Sequence, residues 1–220
     1  PQGTCICQLV NIYTKNDEHF EEQAIWLKKL FYKYNARRLV IDGNGLGIGL
    51  VDYMVKKQTD PDTNEFFPDF GVYNDQDGEY KKYRSSECEQ DAMYIIKANA
   101  PINTEAHANA QSMMSSGKVK FLIDERVAKT KLLGTKVGQN MKPEERAEYL
   151  KPFTLTSILK EEMMNLREEN EGVNIILRQA NRGIKKDKFS AFEYGLYYIK
   201  QEESNKKKKK FNAKEWRFYN

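Results

Sequence analysis

Histidine and cysteine are scarce in this chain: 220 residues hold His19 and His107, and Cys5, Cys7 and Cys88. An odd, scattered cysteine count points to a reducing compartment rather than a disulfide framework. Cys5 and Cys7 lie in a stretch that reads as a strand, and structural zinc needs more Cys or His at closer spacing. No apolar run approaches the roughly 20 residues that cross a bilayer. The start, Pro1-Gln2-Gly3-Thr4, has neither the basic residues nor the apolar segment of a secretory signal. It also has no initiator methionine, and we read the chain as processed, trimmed or partial. Nucleotide-cradling loops are missing too. Gly43, Gly45, Gly47 and Gly49 alternate singly and fit G-x-G-x-x-G in no frame, and no Lys-Ser or Lys-Thr pair follows, which excludes a P-loop. There are no internal repeats.

The composition is 40% hydrophobic and 31% charged, enough apolar content for one substantial core in a highly charged protein. The net charge of +4 is modest, so its distribution carries more information. Lys206, Lys207, Lys208, Lys209 and Lys210 form an unbroken basic run, followed by Phe211, Trp216, Phe218 and Tyr219. Such a run is either a solvated, flexible tail over 201–220 or a phosphate-binding arm with aromatic anchors.

Periodicity predicts alternating strands and helices: a strand over Thr4–Tyr13, a helix over Glu18–Tyr34, a strand over Arg37–Asp42 and a helix over Ile48–Lys57. Thr59–Glu89, rich in Asp, Asn, Pro and Gly, reads as a long excursion from the core, with an extended piece near Phe70–Tyr73. A strand over Ala92–Ala98, a helix over Thr104–Ser116, a strand over Lys118–Ile123 and a helix to about Leu133 follow. Gly134–Lys142 reads as a mobile loop, Pro143–Tyr149 as a helical start, Phe153–Asn170 as a long amphipathic helix, Gly172–Arg178 as a strand and Lys188–Lys200 as the last helix. The pattern is that of an α/β layer fold.

The chemistry-bearing stretch is Arg37-Arg38-Leu39-Val40-Ile41-Asp42-Gly43-Asn44-Gly45. A buried strand that ends on a carboxylate delivers that acid to a sheet edge, where α/β proteins bind ligands and metals. Hard divalent cations take such oxygen ligands, although an aspartate at this point also serves ordinary turns. Asp187 precedes the last helix, as an N-cap or as a second acid, amid Arg182, Lys185, Lys186 and Lys188, whose clustered charge suits gripping phosphates. Asp124 and Glu125 read as helix-capping and first-turn acids, His107 as a packed or surface histidine rather than a base, and Lys97 as a sheet-end cation within reach of a phosphate.

The run Arg38-Leu39-Val40-Ile41-Asp42-Gly43-Asn44-Gly45-Leu46-Gly47 with Leu50-Val51-Asp52 resembles the nuclease domain of the large terminase subunit of tailed bacteriophages. So do Phe70-Gly71-Val72-Tyr73-Asn74, Tyr94-Ile95-Ile96-Lys97-Ala98, the segment Ser116–Glu125, and Lys186-Asp187-Lys188-Phe189-Ser190-Ala191-Phe192-Glu193-Tyr194-Gly195. The resemblance covers about residues 8 to 200. It implies an RNase H-like mixed sheet flanked by helices over 1–200, followed by the basic tail. It also implies cleavage of concatemeric double-stranded DNA with Mg2+ or Mn2+ at a two-metal site, with Asp42 and Asp187 as the acids. The partners it implies are a terminase ATPase domain, the small terminase subunit and the portal, in the cytoplasm of a bacterial host and without a membrane. In the family a first acid sits on a strand upstream of the part matching Cys5–Tyr13, so the metal site is expected to be incomplete and cleavage slow or absent. A non-catalytic DNA-binding or motor-docking module of the same fold is the alternative. An α/β nucleotide-binding enzyme draws on the glycine-rich turn alone.

Overall fold

The computed structural model describes residues 6–15, 19–45, 47–83, 88 and 90–215, with backbone alone beyond Lys206. Cys5, Asp17, Leu46, Trp216, Phe218 and Tyr219 lie outside the described residues, as do the side chains of Lys207–Lys210 and Phe211. The elements run β1 (Cys7–Gln8), α1 (Phe20–Lys33), β2 (Leu39–Asp42), α2 (Gly47–Met54), β3 (Gln58–Thr59), β4 (Phe66–Phe67), β5 (Met93–Ile96), α3 (Ala100–Ser115), β6 (Val119–Lys120), α4 (Glu125–Leu133), α5 (Lys136–Asn140), α6 (Pro143–Met164), β7 (Leu166–Glu171), β8 (Asn174–Gln179) and α7 (Asp187–Glu215). This is a mixed α/β fold of small sheets with helices around them. Among the described residues β1–β6 and β2–β5 pair in parallel, and β3–β4 and β7–β8 antiparallel. The chain divides into two compact units, residues 1–14 with 103–193 and residues 15–102 with 194–220.

The second of these units is built on β2 and β5, in register from Leu39↔Met93 to Asp42↔Ile96. The apolar residues of α1 recur at helical spacing, so Ala24, Ile25 and Phe31 are buried, and Ala24 and Phe31 join Ile41, Val51, Met54, Met93 and Ile95 in one core. The segment 59–89 is less of an excursion than its composition suggests. Phe67 and Phe70 are each 1% exposed, Phe70 and Tyr80 belong to the core, and Val72 bridges Met93. Its polar residues are spent on turns. Asp60 accepts hydrogen bonds from Thr63 and Asp62 N–H and pairs with Lys29, and the Lys29 bond holds its carboxyl down to about 2.

In the other unit β1 covers Cys7–Gln8 where periodicity predicts a strand over Thr4–Tyr13, of which Thr4 and Cys5 lie outside the described residues. Its ladder to β6 is as short, and Ile6 and Val10 stay exposed while Leu9 and Ile12 are half-buried. Gly134–Lys142 is not an irregular loop. Thr135 caps α5, its hydroxyl accepting from Gly138 N–H at 3.0 Å. The two helices expected from 143 to 170 are one, α6, which ends at Met164 and buries Leu150, Thr156, Leu159 and Glu162. Leu166–Asn170 is strand rather than helix. Its residues are acceptable helix formers, but pairing with β8 from Leu166↔Gln179 to Glu171↔Asn174 overrides that preference. Asn165 locks the base, donating to Asn181 O at 2.9 Å and accepting from Asn181 N–H at 2.8 Å. The last helix continues past Lys200 to Glu215 in its backbone. Among the described residues no helix is long and apolar enough to cross a membrane.

Candidate functional site

At the C-terminal edge of β2 and β5, the exposed Asp42 follows the buried Ile41 and lies opposite Ile96. Its Oδ1 accepts from Asn44 N–H at 3.0 Å, an Asx turn that fixes the carboxylate. Oδ2 has no hydrogen-bond partner among the described residues. Asn44 reaches across to Ala98 O at 2.9 Å and ties the turn to the chain leaving β5. Two glycines have distinct tasks here. Gly45 takes φ +57°, the left-handed region, and a β-carbon on Gly47 would collide with the carbonyl of Asp42. The reading of a sharp turn kept clear of bulk beside Asp42 therefore has a physical basis.

Beside this edge the chain from Val72 onward clips β5 from outside. Asn74 donates to Ile95 O at 2.7 Å and accepts from Ile95 N–H at 2.9 Å, so one amide takes the place of a strand neighbour. Beyond it opens a cleft of about 250 Å³ walled by Asp75, Asp77, Glu79, Tyr80, Tyr94 and Lys97. Lys97 is a sheet-end cation, as its position suggests. Its ammonium lies 2.5 Å from Glu79, and that bond raises its pKa. Burial, then Glu79, raises the Tyr80 phenol. With three carboxylates against one paired lysine, this wall repels phosphate. Sequence reading missed the cleft because Asp75, Asp77 and Glu79 sit in a segment that looks like generic turn. The pair Asn74-Asp75 directly after an extended apolar piece was the available signal.

Asp187 opens α7 and is exposed. It does not cap the helix, since Ser190 N–H bonds Lys186 O at 2.9 Å and thereby makes Lys186 the capping residue. The carboxylate that serves this helix start is Glu162 of α6, 1% exposed. It accepts from Phe189 N–H at 2.9 Å and from Lys188 Nζ at 3.2 Å. Glu162 lay within the amphipathic helix read over Phe153–Asn170, and only packing distinguishes it from its charged neighbours. Lys188 is thus turned to an internal partner, whereas Arg182 and Lys185 are exposed and Lys186 is half-buried. Lys206 is exposed on the continuation of α7. Asp42 belongs to the unit of residues 15–102 and 194–220, and Asp187 to the other.

Asp124 caps α4 through Arg126 N–H at 2.9 Å, and Glu125 lies in the first turn, as the sequence suggested. His107 is packed, 8% exposed, between Glu168 and Glu193. Among the described residues no group of three or more His, Cys, Asp or Glu side chains is placed to hold a metal ion. The described carboxylates therefore do not make up the donor set that a pair of hard divalent cations takes. No family description, curated protein or solved structure matches the chain.

Proposed function

We propose that this chain acts on double-stranded DNA as an endonuclease domain of the terminase type, RNase H-like in its finer fold and dependent on Mg2+ or Mn2+, with a metal site that the described carboxylates leave incomplete and cleavage that is slow or absent. Its acids are Asp42 and Asp187. Arg182, Lys185, Lys186 and the 206–210 lysines contact the phosphates, and an ATPase domain, a small terminase subunit and a portal are its partners in a bacterial cytoplasm. The single observation that carries the reading is Asp42. It is an exposed carboxylate at the end of a parallel strand, fixed by Asn44 in a turn where Gly47 packs against the Asp42 carbonyl. That placement presents an acid where α/β proteins bind ligands, and the resemblance of the motifs along the chain supports the family. The basic residues before α7 would position the backbone without reading sequence.

A second reading, a DNA-binding module without cleavage, is favoured by the lack of a three-membered acidic or imidazole group among the described residues. One experiment separates the two: supercoiled plasmid incubated with the chain and Mn2+ over hours, alongside Asp42→Asn, with binding measured at several salt concentrations. Slow nicking that Asp42→Asn reduces at least tenfold supports the nuclease. Salt-sensitive binding without nicking supports the module. Neither binding nor nicking removes both.

A further inference from the structure

A polar stripe on α3 meets the β7–β8 hairpin, independently of any nuclease chemistry. Thr104, His107 and Gln111 recur at i, i+3 and i+7 and so share one helical face. Thr104 Oγ1 accepts from Ile175 N–H at 2.9 Å, and Gln111 donates to Glu168 Oε1 at 3.2 Å. His107 bridges two elements. Its Nε2 lies 2.8 Å from Glu168 Oε1 on β7 and its Nδ1 3.1 Å from Glu193 Oε1 on α7, with the Phe189 ring edge-on at 6.3 Å.

The geometry carries a protonation requirement. An ionised carboxylate can only accept, and a neutral imidazole has a single N–H. Both contacts are hydrogen bonds only when the ring is an imidazolium. The charged groups facing it are Glu193 from α7 and Glu168 from β7. Their hydrogen bonds, that of Glu193 first, raise the imidazole above its ordinary 6.5 against the opposing effect of burial. When the proton leaves, the one remaining N–H goes to Glu193. That side chain is 8% exposed and would otherwise be a buried, unpaired charge, whereas Glu168, 47% exposed, is rehydrated by solvent.

We propose that His107 is a protonation-gated latch that fastens the β7–β8 hairpin to α3, engaged as the imidazolium and loosened when the ring becomes neutral. A group whose folded pKa is raised contributes its full stabilisation below the unfolded value and loses it as pH rises through the folded one. The latch is therefore closed below pH 6.5 and opens above it. What loosens is a hairpin carrying Glu168, Glu169 and Glu171, with Val173 at its tip 94% exposed. Thr104 and Gln111 do not titrate, so the hairpin is freed at its Glu168 side rather than detached.

The test is amide hydrogen exchange of the full chain from pH 5.5 to 9, corrected for intrinsic rates, with α6 peptides as the internal reference. Protection of residues 166–179 should fall as the ring loses its proton above pH 6.5, tenfold for each unit of displacement that the Glu168 contact supplies. In Glu168→Gln, a half-exposed change that keeps the fold, protection should be lower and independent of pH. The ring itself should titrate above 6.5 by NMR in His19→Gln, where His107 is the sole histidine. Flat hairpin protection, a ring that titrates at or below 6.5, or the same pH step persisting in Glu168→Gln would overturn the latch.

Discussion

Lys28 should make this protein more stable in mild alkali, the reverse of the usual trend. Its side chain comes from the inner face of α1 and has no exposed surface. Its Nζ donates to Lys56 O at 2.6 Å and lies 5.4 Å from the centre of the Phe70 ring. Burial outweighs the attraction of Asp69 and brings the ammonium from 10.5 down to about 8. Between these values the unfolded chain binds a proton that the folded one has lost, so stability rises with pH, by ~1.4 kcal/mol per unit at the steepest. From pH 7.5 to 10, with allowance for residual solvent screening, the gain is about 2 kcal/mol. Urea unfolding followed by Trp26 fluorescence in a Trp216→Phe background, with and without Lys28→Met, isolates the effect. Tyr80, Tyr198 and Lys97 titrate in both proteins and cancel in the difference. A wild-type-minus-variant stability that stays constant across this range would refute the assignment of a buried, depressed lysine.

Two further perturbations bear on the helix start and the turn. Glu162→Ala should cost about 3–5 kcal/mol in thermal or urea unfolding, since it strands Lys188 and leaves the Phe189 N–H unpaired. Glu162→Gln should recover part of that loss; a Glu162→Ala chain as stable as the wild type would show that the carboxylate is not the helix's partner. Gly47→Ala should destabilise by more than about 2 kcal/mol, because its β-carbon meets the Asp42 carbonyl. Gly45→Ala, whose β-carbon meets nothing within 4 Å, should cost only about 1–2 kcal/mol for its positive φ. Equal melting temperatures for the two variants would contradict that contrast.

Different parts of the molecule were legible to different degrees. The helix predicted at Glu18–Tyr34 is α1, and the apolar run ending on Asp42 is a parallel strand, because local periodicity and turn chemistry act within a few residues. Asp124 announced its cap in the same way. Elements that depend on a distant partner were misread. Leu166–Asn170 looked helical until β8 paired with it, and among the described residues of the opening strand only Cys7–Gln8 pair with β6. At the candidate site the sequence supplied Asp42, the glycines and the basic residues before α7, but not the acidic cleft beside Lys97.

By itself, then, the sequence determined where the chain turns, which faces of its helices are apolar and which acid ends a buried strand, since steric freedom and hydrophobic spacing are local properties. Tertiary structure alone decided which charges are internal. Lys28, Glu162 and His107 look like any other polar residues on a helix, and what distinguishes them is the partner that folding brings from far along the chain: Lys56, Phe189 and Glu193. The cost of removing a charge from water depends on the whole surrounding volume, and no short window of residues contains that volume.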